Sequence, residues 1–317
     1  MFAFLLSLNG AVLGTPNSAE RSFCLVRTGS LFVAFVLSIL LVRGRLLKRS
    51  WMAALIYRLG IYGVVQVSYF FLKHVLPLVN TTTLDQKLYE LDLALFHYEP
   101  AMAWDRYVNP ATTEWFAFFY FGYFLLMAVH VVPLVFFGRK KQIVGEFTFG
   151  ILLMFSIGHS LYLVVPGYGP YRAMANAFQH QLPHGLWYDV VMDAVHSSGA
   201  LMDIFPSLHT GAPTVLALFS YRNRKELPYR YSWPLVTFCT VNIIIATMFL
   251  RWHYLIDVIA GFSIAVSAVL LSRPIVRWEL ARRKREGLGE LWPEFSNAPL
   301  SGSGSGTKDL ADGVAAA

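Results

Sequence analysis

Charge is what this sequence has least of. Asp, Glu, Lys and Arg together make up 14% of its 317 residues, whereas hydrophobic residues make up 56%. Soluble domains carry about a quarter charged residues, so this chain lacks the polar residues to coat the core it could bury. Much of its apolar surface must face something other than water. Cysteine is also scarce. Only Cys24 and Cys239 occur, both in apolar stretches, which excludes a disulfide framework and a cysteine-based metal site. No internal repeat is visible, so a solenoid is excluded. Acidic residues are outnumbered, giving a net charge of +7, and the placement of that excess decides its meaning.

What is present is a series of long apolar runs. Seven stretches, about 22–42, 52–78, 115–137, 143–165, 206–221, 233–250 and 254–272, approach the length of a spanning helix, which needs about 20 residues. Residues 1–14 are apolar too, but no basic segment precedes them as in a signal peptide, and they read as an interfacial helix. Basic clusters follow every second run: Arg43, Arg45, Lys48 and Arg49; Arg139, Lys140 and Lys141; Arg222, Arg224, Lys225 and Arg230; Arg273, Arg277, Arg282, Arg283, Lys284 and Arg285. This is the positive-inside pattern. Cytoplasmic anchoring accounts for the whole charge excess, so nucleic-acid binding is not invoked. The loops 79–114 and 166–205 then lie outside the cytoplasm, and they hold nine acidic but only three basic residues. With seven spans the N-terminus is outside and the C-terminus inside.

Loop 79–114 carries Leu84, Leu88, Leu91, Leu95 and Phe96 at helical spacing, with Asp85, Glu90 and Asp92 between them. That pattern predicts an amphipathic helix on the membrane surface. From about residue 287 the chain turns polar and reaches Ser-Gly-Ser-Gly-Ser-Gly, which reads as a disordered tail. Three regions follow: an N-terminal apolar segment and first span over 1–51, a six-span catalytic membrane domain over 52–272, and a basic juxtamembrane segment with a cytoplasmic tail over 273–317.

Polar residues at the membrane are costly and mark function. Three groups fall on the same outer side. Pro166-Gly167-Tyr168-Gly169-Pro170-Tyr171-Arg172 is a bent segment ending in the only basic residue of loop 166–205, and a guanidinium can grip phosphate oxygens. Taken alone, Arg172 could equally snorkel to headgroups. Phe205-Pro206-Ser207-Leu208-His209 opens the fifth run, placing Ser207 and His209 at a helix N-terminus that attracts anions. His209 could supply a proton there. Arg251-Trp252-His253-Tyr254-Leu255-Ile256-Asp257 joins the last two runs. His253 and Asp257, four apart, share a helix face. A carboxylate on one ring nitrogen leaves the other free to attack.

Together these groups resemble the signature of the type 2 phosphatidic acid phosphatase superfamily of membrane lipid phosphatases and phosphotransferases, over roughly residues 52–272. Pro206-Ser207-Leu208-His209 and His253-Tyr254-x-x-Asp257, with Tyr98-Glu99-Pro100 before Trp104, are most similar to its inositolphosphotransferase branch, which includes inositol phosphorylceramide synthases. The resemblance implies an all-α polytopic membrane helix bundle: a six-helix phosphatase core plus one extra N-terminal span and the surface helix. It implies His253 as a nucleophile forming a phosphohistidine, Asp257 orienting it, and His209 protonating the leaving oxygen. Arg172, Ser207 and Arg251 would hold phosphate oxygens, without metal or other cofactor. The chain departs from the family where a Lys becomes Val165, a Gly becomes Leu208 and an Arg becomes Thr247. The phosphate site is therefore poor in cations, and Tyr168, Tyr171 and His159 are further candidates for it.

The expected activity is cleavage of a lipid phosphoester, with transfer of a phosphorylated head group such as phosphoinositol to a lipid alcohol. The alternative is hydrolysis of a lipid or polyprenyl phosphate. The expected location is a bacterial inner membrane or a eukaryotic secretory membrane, with the site on the periplasmic or lumenal side. Two other classes compete: a metalloenzyme ligating through His209, His253 and Asp257, and a transporter, whose paired halves are not visible here.

Overall fold

The structure, a computed structural model, describes residues 1–44, 46–138, 140–199, 201–289 and 291–295. Arg45 and Arg139 of the basic clusters and the Ser-Gly segment lie outside the described residues.

Thirteen α-helical segments follow one another. They are α1 (Phe2–Leu13), α2 (Ala19–Arg43), α3 (Ser50–Arg58), α4 (Val64–Val79), α5 (Asp85–Phe96), α6 (Pro100–Ala103), α7 (Pro110–Phe137), α8 (Lys141–Tyr162), α9 (Pro170–Ala173), α10 (Leu186–Ser198), α11 (Leu208–Arg222), α12 (Tyr229–Phe249) and α13 (Leu255–Arg285). A π-helical turn, Leu59–Gly63, joins α3 to α4. The chain is thus an all-α polytopic bundle, and among the described residues extended pairing is limited to one backbone bridge, Gly167 to Asp203.

Helix starts follow local chemistry. The Ser18 hydroxyl accepts from the Arg21 N–H at α2. Asn109 and Thr112 form a reciprocal cap at α7, with Pro110 in the first turn. The Ser207 hydroxyl accepts from the Thr210 N–H at α11. Such caps satisfy donors that a helix start leaves open.

Among the described residues six helices are long and apolar enough to cross a membrane: α2, the continuous Ser50–Val79, α7, α8, α12 and α13. The fifth expected run, α11, is the short one. α11 has 15 residues, which reach about 22 Å, short of a hydrocarbon core of about 30 Å. It is also the most enclosed helix, packed by α7, α8, α12 and α13, with Leu208, Ala212, Val215, Leu216 and Phe219 buried. A helix shielded by its neighbours need not match the lipid thickness, and its N-terminus starts well inside the bundle.

Both ends of the described chain pack on the bundle. α1 packs on α2, α4 and α8, burying Phe4, Leu5, Leu8 and Val12 and leaving Phe2, Leu6 and Leu13 exposed. The chain beyond 287 does not trail away at once. Trp292 is buried beside Tyr57, the Pro293 carbonyl accepts from Arg58 at 2.9 Å, and the Glu294 carbonyl accepts from Ser50 at 2.7 Å.

The surface helix forms at the expected residues, with one polar strip turned into the protein and Glu90 left exposed. Asp85, Leu88 and Asp92 are buried, while Leu91 and Leu95 are exposed. The carboxylates turn inward because unsatisfied backbone N–H groups wait for them there. Asp85 accepts from the Tyr168 and Gly169 N–H groups. Asp92 accepts from the Leu255 and Ile256 N–H groups at 2.7 and 2.8 Å. The same device recurs along the loop. Asp105 takes the Gln179 N–H at 3.0 Å, and Glu114 takes the N–H groups of Trp187 and Tyr188, both at 3.0 Å, where α10 begins. The first outer loop thus pins the second and fixes the start of α13.

Candidate active site

The Pro-Gly-Tyr-Gly-Pro loop, the start of α11 and the turn before α13 converge at one end of the bundle. Gly169 has φ 86°, and a Cβ there would run into the Trp252 carbonyl, so the loop approaches the turn only as glycine. The Tyr171 N–H donates to the Arg251 carbonyl at 2.7 Å. The Ser207 N–H donates to the Asp257 carbonyl at 3.0 Å, and a Cβ at Gly261 would strike the Ser207 carbonyl. α11 and α13 are therefore locked at their starts.

Between α4, α7 and α8 this end encloses a cavity of about 340 Å³. His209 and His253 both line it. The His209 ring is clamped by Tyr120 and Tyr123, each with its centroid 4.3 Å away, and its buried Nε2 has no hydrogen-bond partner. His253 Nδ1 lies 3.5 Å from Asp257 Oδ2. Nδ1 and Asp257 Oδ1 are likewise buried and unpartnered; such groups are rare and call for an explanation in function. Asp257 Oδ2 also accepts from the Tyr254 N–H at 3.0 Å, which fixes the carboxylate at the first turn of α13. Burial pushes the His253 imidazole down to about 4, against the upward pull of the Asp203 carboxylate and the Ile204 carbonyl.

The three residues expected to hold phosphate are placed differently. Ser207 is buried as the cap of its own helix and is not in the cavity wall. Arg172 is exposed, with its guanidinium 3.8 Å above the Tyr168 ring, at the outer rim. Arg251 is buried and committed elsewhere: it binds Asp105 at 2.8 Å and the His180 carbonyl at 2.6 Å and covers the Phe178 ring at 3.8 Å. Its φ of 68° is unusual for a non-glycine residue, and this network holds it there. Among the described lining residues there is no Lys or Arg.

Other residues take up the cavity wall. Asp203 lines it, receives the Tyr69 hydroxyl and faces His253. Burial pushes its carboxyl up, against the Tyr69 hydrogen bond and the nearby His253. His159 also lines the cavity, fully buried, with both ring nitrogens unpartnered. Asp203 was detectable in principle: it is a carboxylate inside the apolar run Leu201–Phe205, where burial demands a partner. Among the described residues, no group of three or more His, Cys, Asp or Glu side chains is arranged to hold a metal ion; the trio His209, His253 and Asp257 does not form one.

Residues 86–271, more than half of the chain, match a family model described as the PAP2 superfamily. The chain belongs to that superfamily. Membership suggests a membrane-embedded, lipid phosphatase-type enzyme. Neither the curated proteins nor the solved structures give a significant match.

Proposed function

We propose, from that membership, that the protein cleaves a lipid phosphodiester at His253 and passes the phosphorylated head group to an alcohol or to water. The observation that carries this reading is the pair of histidines on one cavity, each with an unpartnered buried ring nitrogen, and the Asp257 carboxylate behind His253. Neutral His253 attacks phosphorus through one ring nitrogen. The bond from phosphorus to the lipid alkoxide breaks, and His209, in its protonated form, gives its proton to the leaving oxygen. Asp257 faces the Nδ1–H of the resulting cationic phosphohistidine. An acceptor hydroxyl then attacks phosphorus, the N–P bond breaks, and the acceptor proton returns to His209. Phosphoryl transfer mainly asks for positioning and charge stabilisation, which the pinned loops provide.

Two features favour a lipid diester. The inner wall of the cavity is apolar, with Val65, Met127, Val131 and Phe155, which suits acyl chains. A phosphomonoester carries close to two negative charges at neutral pH and a diester one, and the wall contains no Lys or Arg to balance the second. The positive-inside pattern of the basic clusters supports a reading in which this end faces away from the cytoplasm. No comparison supports the inositolphosphotransferase branch in particular.

The test is trapping. Purified protein given a phospholipid labelled at phosphorus should form an acid-labile phosphoryl adduct that disappears in His253→Ala, while metal chelation leaves turnover intact. Full turnover in His253→Ala would rule the mechanism out.

A further inference from the structure

The cavity wall is unusual for a site that receives phosphate. Six tyrosines and Trp252 line it, together with the Asp203 carboxylate, and no Lys or Arg does. The arginines nearest in sequence are accounted for: Arg251 by Asp105 and Arg172 by the Tyr168 face at the rim. Aromatic faces present negative charge density, and rings with a carboxylate make a receptor for ammonium groups. A site tuned to anions alone would not carry this lining.

The position of Asp203 gives the lining a direction. Its backbone is bridged to Gly167, and its side chain takes the Tyr69 hydroxyl from α4. It shares the cavity wall with His253, whose imidazole feels its charge, so it lies near the place where the proposed function puts phosphorus. In a choline or ethanolamine phosphodiester the nitrogen sits only two carbons beyond the ester oxygen. A carboxylate next to the phosphate-receiving histidine is therefore within reach of that nitrogen. The zwitterion also brings no net charge into a cavity whose outer arginine, Arg172, stays at the rim on Tyr168, whereas a phosphoinositol or phosphoglycerol diester brings a negative charge toward Asp203.

We infer that the cavity selects a head group carrying an ammonium, with the phosphate at His253 and His209 and the nitrogen between Asp203 and the aromatic wall. This deepens the proposed function and rests on its placement of phosphate. The carboxylate supplies the counter-charge, and Tyr69 holds it in place.

The experiment separates binding from turnover. Protein in a maltoside detergent is titrated with dodecylphosphocholine, dodecyl phosphate and a dodecyl phosphoglycerol diester, with Trp fluorescence as the signal because Trp252 lies in the wall. Dodecylphosphocholine should bind at least about tenfold more tightly than either competitor, a difference of about 1.4 kcal/mol. Asp203→Asn should erase the difference, and Asp203→Glu should restore part of it. Tyr69→Phe, which keeps the carboxylate, should weaken the preference less than Asp203→Asn does. Equal or tighter binding of dodecyl phosphate or of the phosphoglycerol diester, or an unchanged preference in Asp203→Asn, would overturn the inference. His253→Ala distinguishes the two proposals. Lost turnover without head-group preference leaves the catalytic reading and removes this one; retained turnover with the preference intact does the reverse.

Discussion

The two ends of the bundle use buried carboxylates in opposite ways. At the end with the basic clusters, Glu146 sits in α8 with 1% side-chain exposure and binds Arg222 of α11 at 2.9 Å and Arg273 of α13 at 3.3 Å. Gln142 adds a bond at 2.7 Å. At the cavity end, Asp85, Asp92 and Glu114 bind backbone N–H groups instead. One end ties side chain to side chain and fastens helices. The other ties carboxylates mainly to loop backbone, with Asp105–Arg251 the side-chain exception, and its cavity holds the unpartnered nitrogens of His159, His209 and His253. We propose that this difference separates stability at one end from reactivity at the other.

That division can be broken first at the reactive end. His209→Ala should lower lipid turnover by about 10²- to 10⁴-fold, the usual worth of a general acid, with little change in the unfolding midpoint. Steady-state kinetics and thermal unfolding of the same preparation decide it; an equal loss in both would place His209 in the framework. At the other end the outcome should invert. Glu146→Gln leaves Arg222 and Arg273 facing one another without a counter-charge. Breaking a buried pair costs about 3 kcal/mol or more, so the midpoint should drop clearly while turnover per folded molecule holds. Reduced turnover with an unchanged midpoint would dissolve the contrast between the ends.

Asp92 lies between these cases, since its carboxylate touches no substrate yet fixes the first turn of α13. Asp92→Ala frees the Leu255 and Ile256 N–H groups and loosens His253 and Asp257. Turnover should fall about 10- to 30-fold, because small misplacements of reacting groups are costly. Asp92→Asn, which keeps one acceptor oxygen, should lose less. Identical losses in both variants would show that charge rather than position matters there.

Much of this was legible in the sequence. Apolar runs pointed to the bundle, and the three polar segments pointed to the end where His209 and His253 share a cavity. Three things were not. The inward ties of Asp85 and Asp92 were hidden because the N–H groups they bind, at residues 168–169 and 255–256, lie far along the chain. Arg251 read as a phosphate ligand because its Asp105 partner is 146 residues away. The shielding of α11 by four other helices was hidden because composition does not show which helices pack together.

The smallest effect concerns two carboxylates at the same end. Asp105 is held below the usual carboxylate range: burial pushes it up, but His180, the Gln179 N–H and Arg251 together outweigh that. Glu99 is pushed up to about 7 by burial, because the Met102 N–H on Oε2 compensates only part of it and Oε1 has no partner. The number of donors each acid gathers decides the sign. For Glu99 the folded chain keeps a proton that the unfolded chain releases near 4.5, so its contribution to stability declines as pH rises through the window from 4.5 to 7. Between pH 6 and 8 the loss is about 1 kcal/mol. Glu99→Gln, which cannot ionise, should flatten that part of the profile when unfolding midpoints at the two pH values are compared with those of the parent chain. Parallel profiles would mean that Glu99 is ionised throughout, and that the outer loop supplies it with donors as fully as it supplies Asp105.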